Sequence, residues 1–213
     1  MAAKFKCMLN IFIGLFVMLC YSCNVQKPMN HPVAETQDSA IEKFGQPFAK
    51  FEIMVPNSYK HQTQIDSFVG SHYQFVDIVG YYADRYFKNA SNNLVPGKTY
   101  EVRFYPINAR VTSEECIEFL KSKKAIFVNA QGLTLVWDLR NGDLPKDYGW
   151  ILSFDEKDAL PRSPDVKFEE INIPMMGFHS TKVWQLGYYG INTNWTPNFA
   201  CLMAFFELEE TTR

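Results

Sequence analysis

The chain has 213 residues, of which 47% are hydrophobic and 15% aromatic, and its formal net charge is −2. This composition is typical of a packed globular protein. It leaves no basic surface of the kind that nucleic acid or anionic lipid requires, so we expect a folded protein that does not bind nucleic acid.

The N-terminus has the three parts of a secretory signal peptide. Lys4 and Lys6 give a basic start, an apolar core follows, and a short segment of small or polar residues ends at Cys23. Asn10 and Gly14 interrupt the core, which is shorter than the roughly 20 apolar residues that a membrane-spanning helix needs. We therefore expect cleavage, which would remove both lysines and lower the formal charge to about −4.

The end of this segment, Leu19-Cys20-Tyr21-Ser22-Cys23, resembles the lipobox of bacterial lipoproteins. In that family the cysteine after a small residue is lipidated and becomes the first residue of the mature chain. The resemblance implies a signal peptide over residues 1–22 and a lipid anchor on Cys23. Plain secretion and an uncleaved anchor are the alternatives. Asn24 in place of Asp disfavours retention at the inner membrane, so we expect an envelope protein at the outer membrane or the periplasmic face.

The mature chain divides into a tether and one domain. Residues 23–47 are polar, contain Pro28, Pro32 and Pro47, and lack a sustained apolar period, which predicts a lipidated N-terminus followed by a flexible tether. The remaining residues, 48–213, are enough for a single globular domain with one sizeable core.

The first part of the domain is the hardest to interpret. FAKFEIMVP alternates apolar and polar residues and predicts a short strand beginning near Phe48. Between residues 64 and 89 apolar residues recur at spacings of three and four, which predicts a helix over 73–88. Gly70, Gly80 and the many Val, Ile and Tyr residues suit a strand instead, so that alternative stays open.

The middle of the chain carries clearer signals. Pro96-Gly97 predicts a type II turn, and the alternating TYEVRFYPI that follows predicts a strand with one wet face. Thr112 and Glu115 have the spacing of a capping box at the start of the helix SEECIEFLKSKK.

The rest of the chain is predicted to form strands separated by turn signals. Their sequences are AIFVN, LTLVWDL, YGWILSF, VKFEEINIP, TKVWQLGYY and FACLMAFFEL. Short connections favour antiparallel pairing, because a parallel crossover needs a dozen or more residues. We therefore predict an α+β domain with a mostly antiparallel sheet of about six to eight strands and one or two helices.

Two cysteines lie within the domain, Cys116 and Cys201. In an oxidising envelope they could form one disulfide, whereas unpaired cysteines are usually buried thiols, and both interpretations stay open. Neither has the CxxC spacing of a redox or zinc motif.

Oxygen-rich side chains surround one predicted turn. Asp138, Asn141, Asp143 and Asp147 could bind Ca²⁺, but their spacing fails the EF-hand pattern, and polar residues in a turn need no metal. The four histidines are scattered without metal-ligand spacing. We therefore predict neither a metal site nor a cofactor.

Asp155 and Glu156 follow a predicted strand, and paired carboxylates can act as acid and base in glycoside hydrolysis. The same stretch equally suits a short helix capped by Ser153 or Asp155. We assign no catalytic residue, and a glycan hydrolase of the envelope remains the alternative function.

Aromatic residues near the C-terminus give the only binding hypothesis. Tyr188, Tyr189 and Trp195 lie in a stretch rich in Gly and Asn, which we predict to be a loop. Large rings there could stack on sugars or anchor a protein partner, although they could instead plug one end of the sheet. We predict a non-enzymatic, lipid-anchored envelope domain that binds a protein or glycan partner through these three residues.

Overall fold

The computed structural model describes four stretches of the chain, residues 42–71, 90–160, 171–178 and 184–208. These stretches belong to one compact unit, Ser39–Arg213. The predicted signal peptide, the lipidation site at Cys23 and the helix predicted over 73–88 lie outside the described residues. Within them, no helix combines the length and apolarity needed to cross a membrane.

In the four described stretches, six strands form the main sheet, and a pair of two-residue strands forms a second one. The strands are β1 (Ala49–Met54), β2 (Thr99–Pro106), β3 (Val111–Thr112), β4 (Trp150–Leu152), β5 (Asn172–Phe178), β6 (Trp184–Gly190), β7 (Asn194–Trp195) and β8 (Ala200–Glu207). The main sheet has the order β1-β2-β8-β4-β5-β6, and β3 pairs with β7. Every pairing is antiparallel except that of β4 with β8.

Among the described residues, three α-helices accompany the sheets, which confirms the predicted α+β fold with a mostly antiparallel sheet. They are α1 (Gln64–Ser71), α2 (Ser113–Ser122) and α3 (Asn129–Arg140), and a 3₁₀ turn, His61–Thr63, leads into α1. Strand residues alternate between the two faces of the main sheet, so each face has its own buried cluster.

One cluster lies between the sheet and helices α1 and α3, and we call this side the α1/α3 face. It includes Phe68, Val102, Phe104, Leu133, Met176, Leu186, Met203 and Phe205. The cluster on the opposite side, the α2 face, includes Cys116, Ile117, Leu120, Leu152, Ile173, Trp195, Leu202 and Phe206. Both sides of the sheet are therefore covered by helices or by the small β3–β7 sheet.

The predicted capping box at the start of α2 is confirmed. The Glu115 backbone N–H donates to the Thr112 hydroxyl at 3.2 Å, and the Thr112 backbone N–H donates to the Glu115 carboxylate at 2.7 Å. Two of the otherwise unpaired donors at the helix N-terminus are thus satisfied. Lys43 forms an ion pair with the same carboxylate, and hydrogen bonds from Lys43 and Thr112 lower the pKa of Glu115.

The turn before β2 also has its predicted form. Gly97 has a φ of 79°, which the third position of a type II turn requires, and the Lys98 N–H donates to the Val95 carbonyl at 3.1 Å. Strand β2 follows with alternating half-buried and buried residues up to Phe104, as its sequence predicts.

The strand prediction for LTLVWDL, residues 133–139, is wrong, because this segment lies within helix α3. Every residue from Asn129 to Trp137 is buried. A helix buried on all sides has no polar face, so its sequence lacks the 3.6-residue period that separates a helix from a buried strand. The second predicted strand that is not formed is AIFVN, in which the β pairing is an isolated bridge between Ile126 and Phe205.

Two boundaries also differ from the prediction. Of the strand expected within VKFEEINIP, residues 166–170 lie outside the described residues, and the described strand β5 continues beyond Pro174 to Phe178, through the turn expected at Met176-Gly177. At the N-terminal side, packing reaches back beyond the expected start at Phe48, because Phe44 is buried and stacks on Phe119 with 4.2 Å between ring centroids.

Both cysteines of the domain are free and buried. Cys116 belongs to the cluster on the α2 face and Cys201 to the cluster on the α1/α3 face, so the sheet separates them. Burial raises the pKa of each thiol. They are therefore two buried thiols, and the alternative of a disulfide is not realised.

Candidate ligand-binding surface

The predicted carboxylate pair does not face a common site. Asp155 is completely buried, and it accepts hydrogen bonds from the Ser91 N–H at 3.2 Å and the Glu156 N–H at 2.7 Å. Burial raises the pKa of Asp155 to about 6, although the hydrogen bonds from Ser91 and Glu156 favour its ionised form. Glu156 is exposed. A substrate therefore has no access to Asp155 in this structure.

The acidic side chains around the end of α3 are engaged with neighbouring side chains. Asp143 pairs with Arg140 at 2.7 Å, and Asp138 accepts a hydrogen bond from Gln64 at 3.1 Å. Asn141 ends the helix in the left-handed conformation, with a φ of 49°. Across the described ranges, no three His, Cys, Asp or Glu side chains form a group that could hold a metal ion.

His61 is, like Asp155, a buried titratable group. It lies in the 3₁₀ turn, with its Nδ1 atom 2.7 Å from the Tyr59 hydroxyl, and burial lowers its pKa to about 4. An open groove of about 450 Å³ lies beside this turn and is also lined by Leu94, Val95 and Pro96. The geometry gives His61 a structural role, since its ring is buried against the domain.

The three predicted binding residues do not share one loop, so that interpretation is wrong, whereas the strand predicted for TKVWQLGYY, which contains both tyrosines, is confirmed from Trp184 onward. Tyr188 and Tyr189 are in strand β6, and Trp195 is in strand β7. Successive residues of a strand point to opposite faces, so Tyr188 packs against the α1/α3 cluster. Tyr189 lies on the α2 face, where 41% of it is exposed. The structure brings Tyr189 and Trp195 together, with 5.9 Å between ring centroids, and separates both from Tyr188.

Trp195 has no exposed surface. Its indole Nε1–H donates to the Ser113 hydroxyl at 3.0 Å, and its ring meets the edge of Phe154 at 6.3 Å between centroids. Ser113 is the first residue of α2. Trp195 therefore supports the exposed rings above it and cannot itself contact a ligand.

Phe199 lies beside Tyr189 and Trp195, although it is not among the three predicted binding residues. It is 37% exposed, and its ring centroid lies 6.2 Å from that of Tyr189 and 6.4 Å from that of Trp195. A tight turn presents it, because the Phe199 N–H donates to the Thr196 carbonyl at 3.2 Å and Asn198 has a φ of 63°. In the sequence, Pro197-Asn198 is the signal for this turn, and the aromatic residue that follows it is Phe199.

One glycine makes room for a third ring on the same face. An added Cβ atom at Gly177 would lie 2.5 Å from the Trp150 ring, whereas one at Gly187 would lie at an ordinary contact distance of 3.6 Å from it. The Trp150 N–H donates to the Phe199 carbonyl at 3.0 Å. Trp150 is half-buried, and its ring packs over Gly177 on the α2 face. We call Trp150, Tyr189 and Phe199 the aromatic platform.

Uncharged polar side chains border the aromatic platform. The exposed ones are Asn192, Asn194, Thr196 and Asn198. The sequence from residue 183 to residue 206 contains no Asp, Glu, Lys or Arg. The hydrogen-bonding side chains that residues 183–206 contribute are therefore mainly amides and hydroxyls.

Comparison with known proteins gives no match: no family model, no curated protein and no solved structure aligns significantly with this chain. Its function is therefore inferred from its own residues and their geometry.

Proposed function

We propose that this protein is a lipid-anchored protein of the cell envelope that binds a ligand or partner through the aromatic platform without transforming it. One observation carries the binding role: Tyr189 and Phe199 expose 41% and 37% of their surfaces while both rings contact the completely buried Trp195. Apolar side chains that are exposed side by side, unlike single exposed ones, mark interaction sites.

The support beneath the rings strengthens this proposal. Binding costs less when the contacting side chains are already held in place, because little side-chain entropy is lost. Trp195 is fixed by its hydrogen bond to Ser113, and Tyr189 lies in a strand paired to β5. Rigid Trp and Tyr side chains are also the types that dominate binding energies at interfaces.

The envelope location rests on the lipobox-like sequence that ends at Cys23. We expect Cys23→Ala to move the protein from the membrane fraction of the cell to the soluble fraction. Cys7→Ala is the matched control, because that cysteine lies before the apolar core. Membrane association of Cys23→Ala equal to that of the control would contradict the anchor.

The binding role is tested with the intact protein purified in mild detergent. We would measure its binding to envelope polysaccharides and to detergent-solubilised envelope proteins of the producing cell. The Tyr189→Ala/Phe199→Ala double variant should bind at least tenfold more weakly, since exposed hot-spot rings each contribute about 2 kcal/mol. Phe48→Ala is the control, because Phe48 is also 41% exposed but packs beside Tyr148, away from the platform. A folded double variant that binds like the control would refute the role of the platform.

The alternative, hydrolysis of glycans, has one supporting observation, the raised pKa of Asp155. A general acid needs such a pKa, but it must also reach the substrate. The test is release of reducing ends from glycans by the protein and by Asp155→Asn. Release by the unmodified protein that this substitution abolishes would favour the hydrolase over the binding protein.

A further inference from the structure

We infer that the ligand of the aromatic platform is a neutral polysaccharide, an inference that rests on the binding role proposed above. It extends that role from an unspecified partner to one chemical class. Three features of the surface support it: the exposed aromatic rings, the chemistry of the surrounding side chains and the local distribution of charge.

The exposed rings offer apolar faces to a sugar. Tyr189 and Phe199 are 41% and 37% exposed, with 6.2 Å between their ring centroids and 63° between their ring planes. Sugar rings present C–H faces, and aromatic faces with their negative quadrupole attract such weakly positive hydrogens. Each exposed ring can therefore pack against a sugar unit of a chain.

The polar side chains around the rings suit sugar hydroxyls. A sugar hydroxyl both donates and accepts hydrogen bonds, and an Asn amide offers two donors and two acceptor lone pairs. Asn192, Asn194 and Asn198 are exposed next to the platform, and Thr196 adds a hydroxyl. Four uncharged side chains thus offer both donors and acceptors beside the rings.

The local charge argues against an anionic ligand. Recognition of phosphate, sulfate or carboxylate groups uses Arg or Lys, and residues 183–206 contain neither. The nearby N-terminus of α2 carries Glu114, which forms an ion pair with Lys157 at 3.6 Å. A polysaccharide without charged groups therefore matches this surface better than an anionic one.

A neutral ligand is also favoured over a protein partner. Protein hot spots are enriched in Trp, Tyr and Arg, and the platform combines its aromatic rings with amides instead of guanidinium groups. We therefore commit to the polysaccharide and treat a protein partner as an outcome of the test.

The test is affinity electrophoresis of the full protein in native gels that contain neutral polysaccharides, namely an α-glucan, a β-glucan, a mannan and a galactan, followed by an array of neutral oligosaccharides. We expect at least one of them to retard the protein, and high salt to leave the retardation unchanged because no ion pair forms. The Tyr189→Ala/Phe199→Ala variant should lose at least tenfold in affinity. Phe48→Ala should be retarded like the unmodified protein. The single variant Phe199→Ala replaces the double variant if that variant fails to fold.

The outcomes separate this inference from the proposed function. Retardation by anionic polysaccharides alone, reversed by salt, overturns the neutral ligand. Absence of binding to every neutral glycan, together with envelope-protein binding that still depends on Tyr189 and Phe199, overturns the ligand class and leaves the binding role standing. Binding of neither kind that depends on the platform overturns both.

Discussion

His61 and Asp155 should change the stability of this protein in opposite directions as the pH falls below neutral. His61 has its pKa lowered to about 4 by burial, so the unfolded chain takes up a proton at a higher pH than the folded one. Its contribution to stability is present above its unfolded pKa of about 6.5 and is lost as the pH falls towards 4. Asp155 has its pKa raised to about 6. Its folded form takes up the proton first, so the folded state gains stability as the pH falls through 6.

The two effects are similar in size. One pKa unit corresponds to about 1.4 kcal/mol, so the shift at His61 removes about 2 kcal/mol of the free energy of unfolding between pH 7 and pH 4.5. Over the same interval the shift at Asp155 adds about 2 kcal/mol. We therefore expect the two linkages nearly to cancel in the unmodified protein.

Single substitutions separate the two linkages. His61→Gln keeps a polar partner for the Tyr59 hydroxyl but does not titrate, and Asp155→Asn keeps an oxygen that can accept from Glu156. Urea denaturation followed by tryptophan fluorescence gives the free energy of unfolding at pH 7 and pH 4.5. Relative to the unmodified protein, acidification should stabilise His61→Gln by about 2 kcal/mol and destabilise Asp155→Asn by about the same amount.

Comparison with the unmodified protein removes the contribution of the carboxylates that all three proteins share, including Glu115. If both variants followed the pH dependence of the unmodified protein within error, the two pKa shifts would be absent. Changes of the same sign in both variants would also contradict them, because the two shifts have opposite effects on stability.

Three further substitutions test the fold and the site. Thr112→Ala should lower the free energy of unfolding by about 1 kcal/mol through loss of the helix cap, and an unchanged urea midpoint would count against that cap. Leu133→Ala should cost about 2–5 kcal/mol, whereas Leu139→Ala should change stability by less than about 0.5 kcal/mol, because only Leu133 is buried. Equal losses would favour a strand over helix α3. Gly177→Ala should cost about 1–3 kcal/mol and shift the fluorescence of Trp150, since the new methyl group meets its ring, and an unaltered spectrum would argue against the glycine support.

Local signals explain which elements could be predicted. The capping box and the Pro96-Gly97 turn depend on residues within four positions of each other, and the alternation of β2 reflects one buried face. Helix α3 had no such signal, because nine successive residues from Asn129 to Trp137 are buried whatever their polarity. Distant parts of the chain bury this helix on all sides, so its burial cannot be predicted from the sequence of the segment alone.

The binding surface was only partly predictable for the same reason. Aromatic residues near the C-terminus stand out in the sequence, and Tyr189 and Trp195 do lie together. The separation of Tyr188 from Tyr189 follows from strand β6, which the sequence TKVWQLGYY predicts, because successive strand residues point to opposite faces. The loop interpretation of the same residues disregarded this alternation. The contact of the Trp150 ring with Gly177 depends on the packing of β4 beside β5, which the C-terminal segment itself cannot reveal.

The start of α2 connects the best-predicted element of the fold with the candidate site. Thr112 caps the helix and also pairs with Asn194 in the small β3–β7 sheet. The next residue, Ser113, accepts the indole hydrogen bond of Trp195, on which the exposed rings of the platform pack. An indole N–H buried without a partner costs about 1–3 kcal/mol, so this hydrogen bond fixes the orientation of the Trp195 ring. The sequence around residue 112 thus determines where a helix begins and, through Trp195, where the platform rings lie.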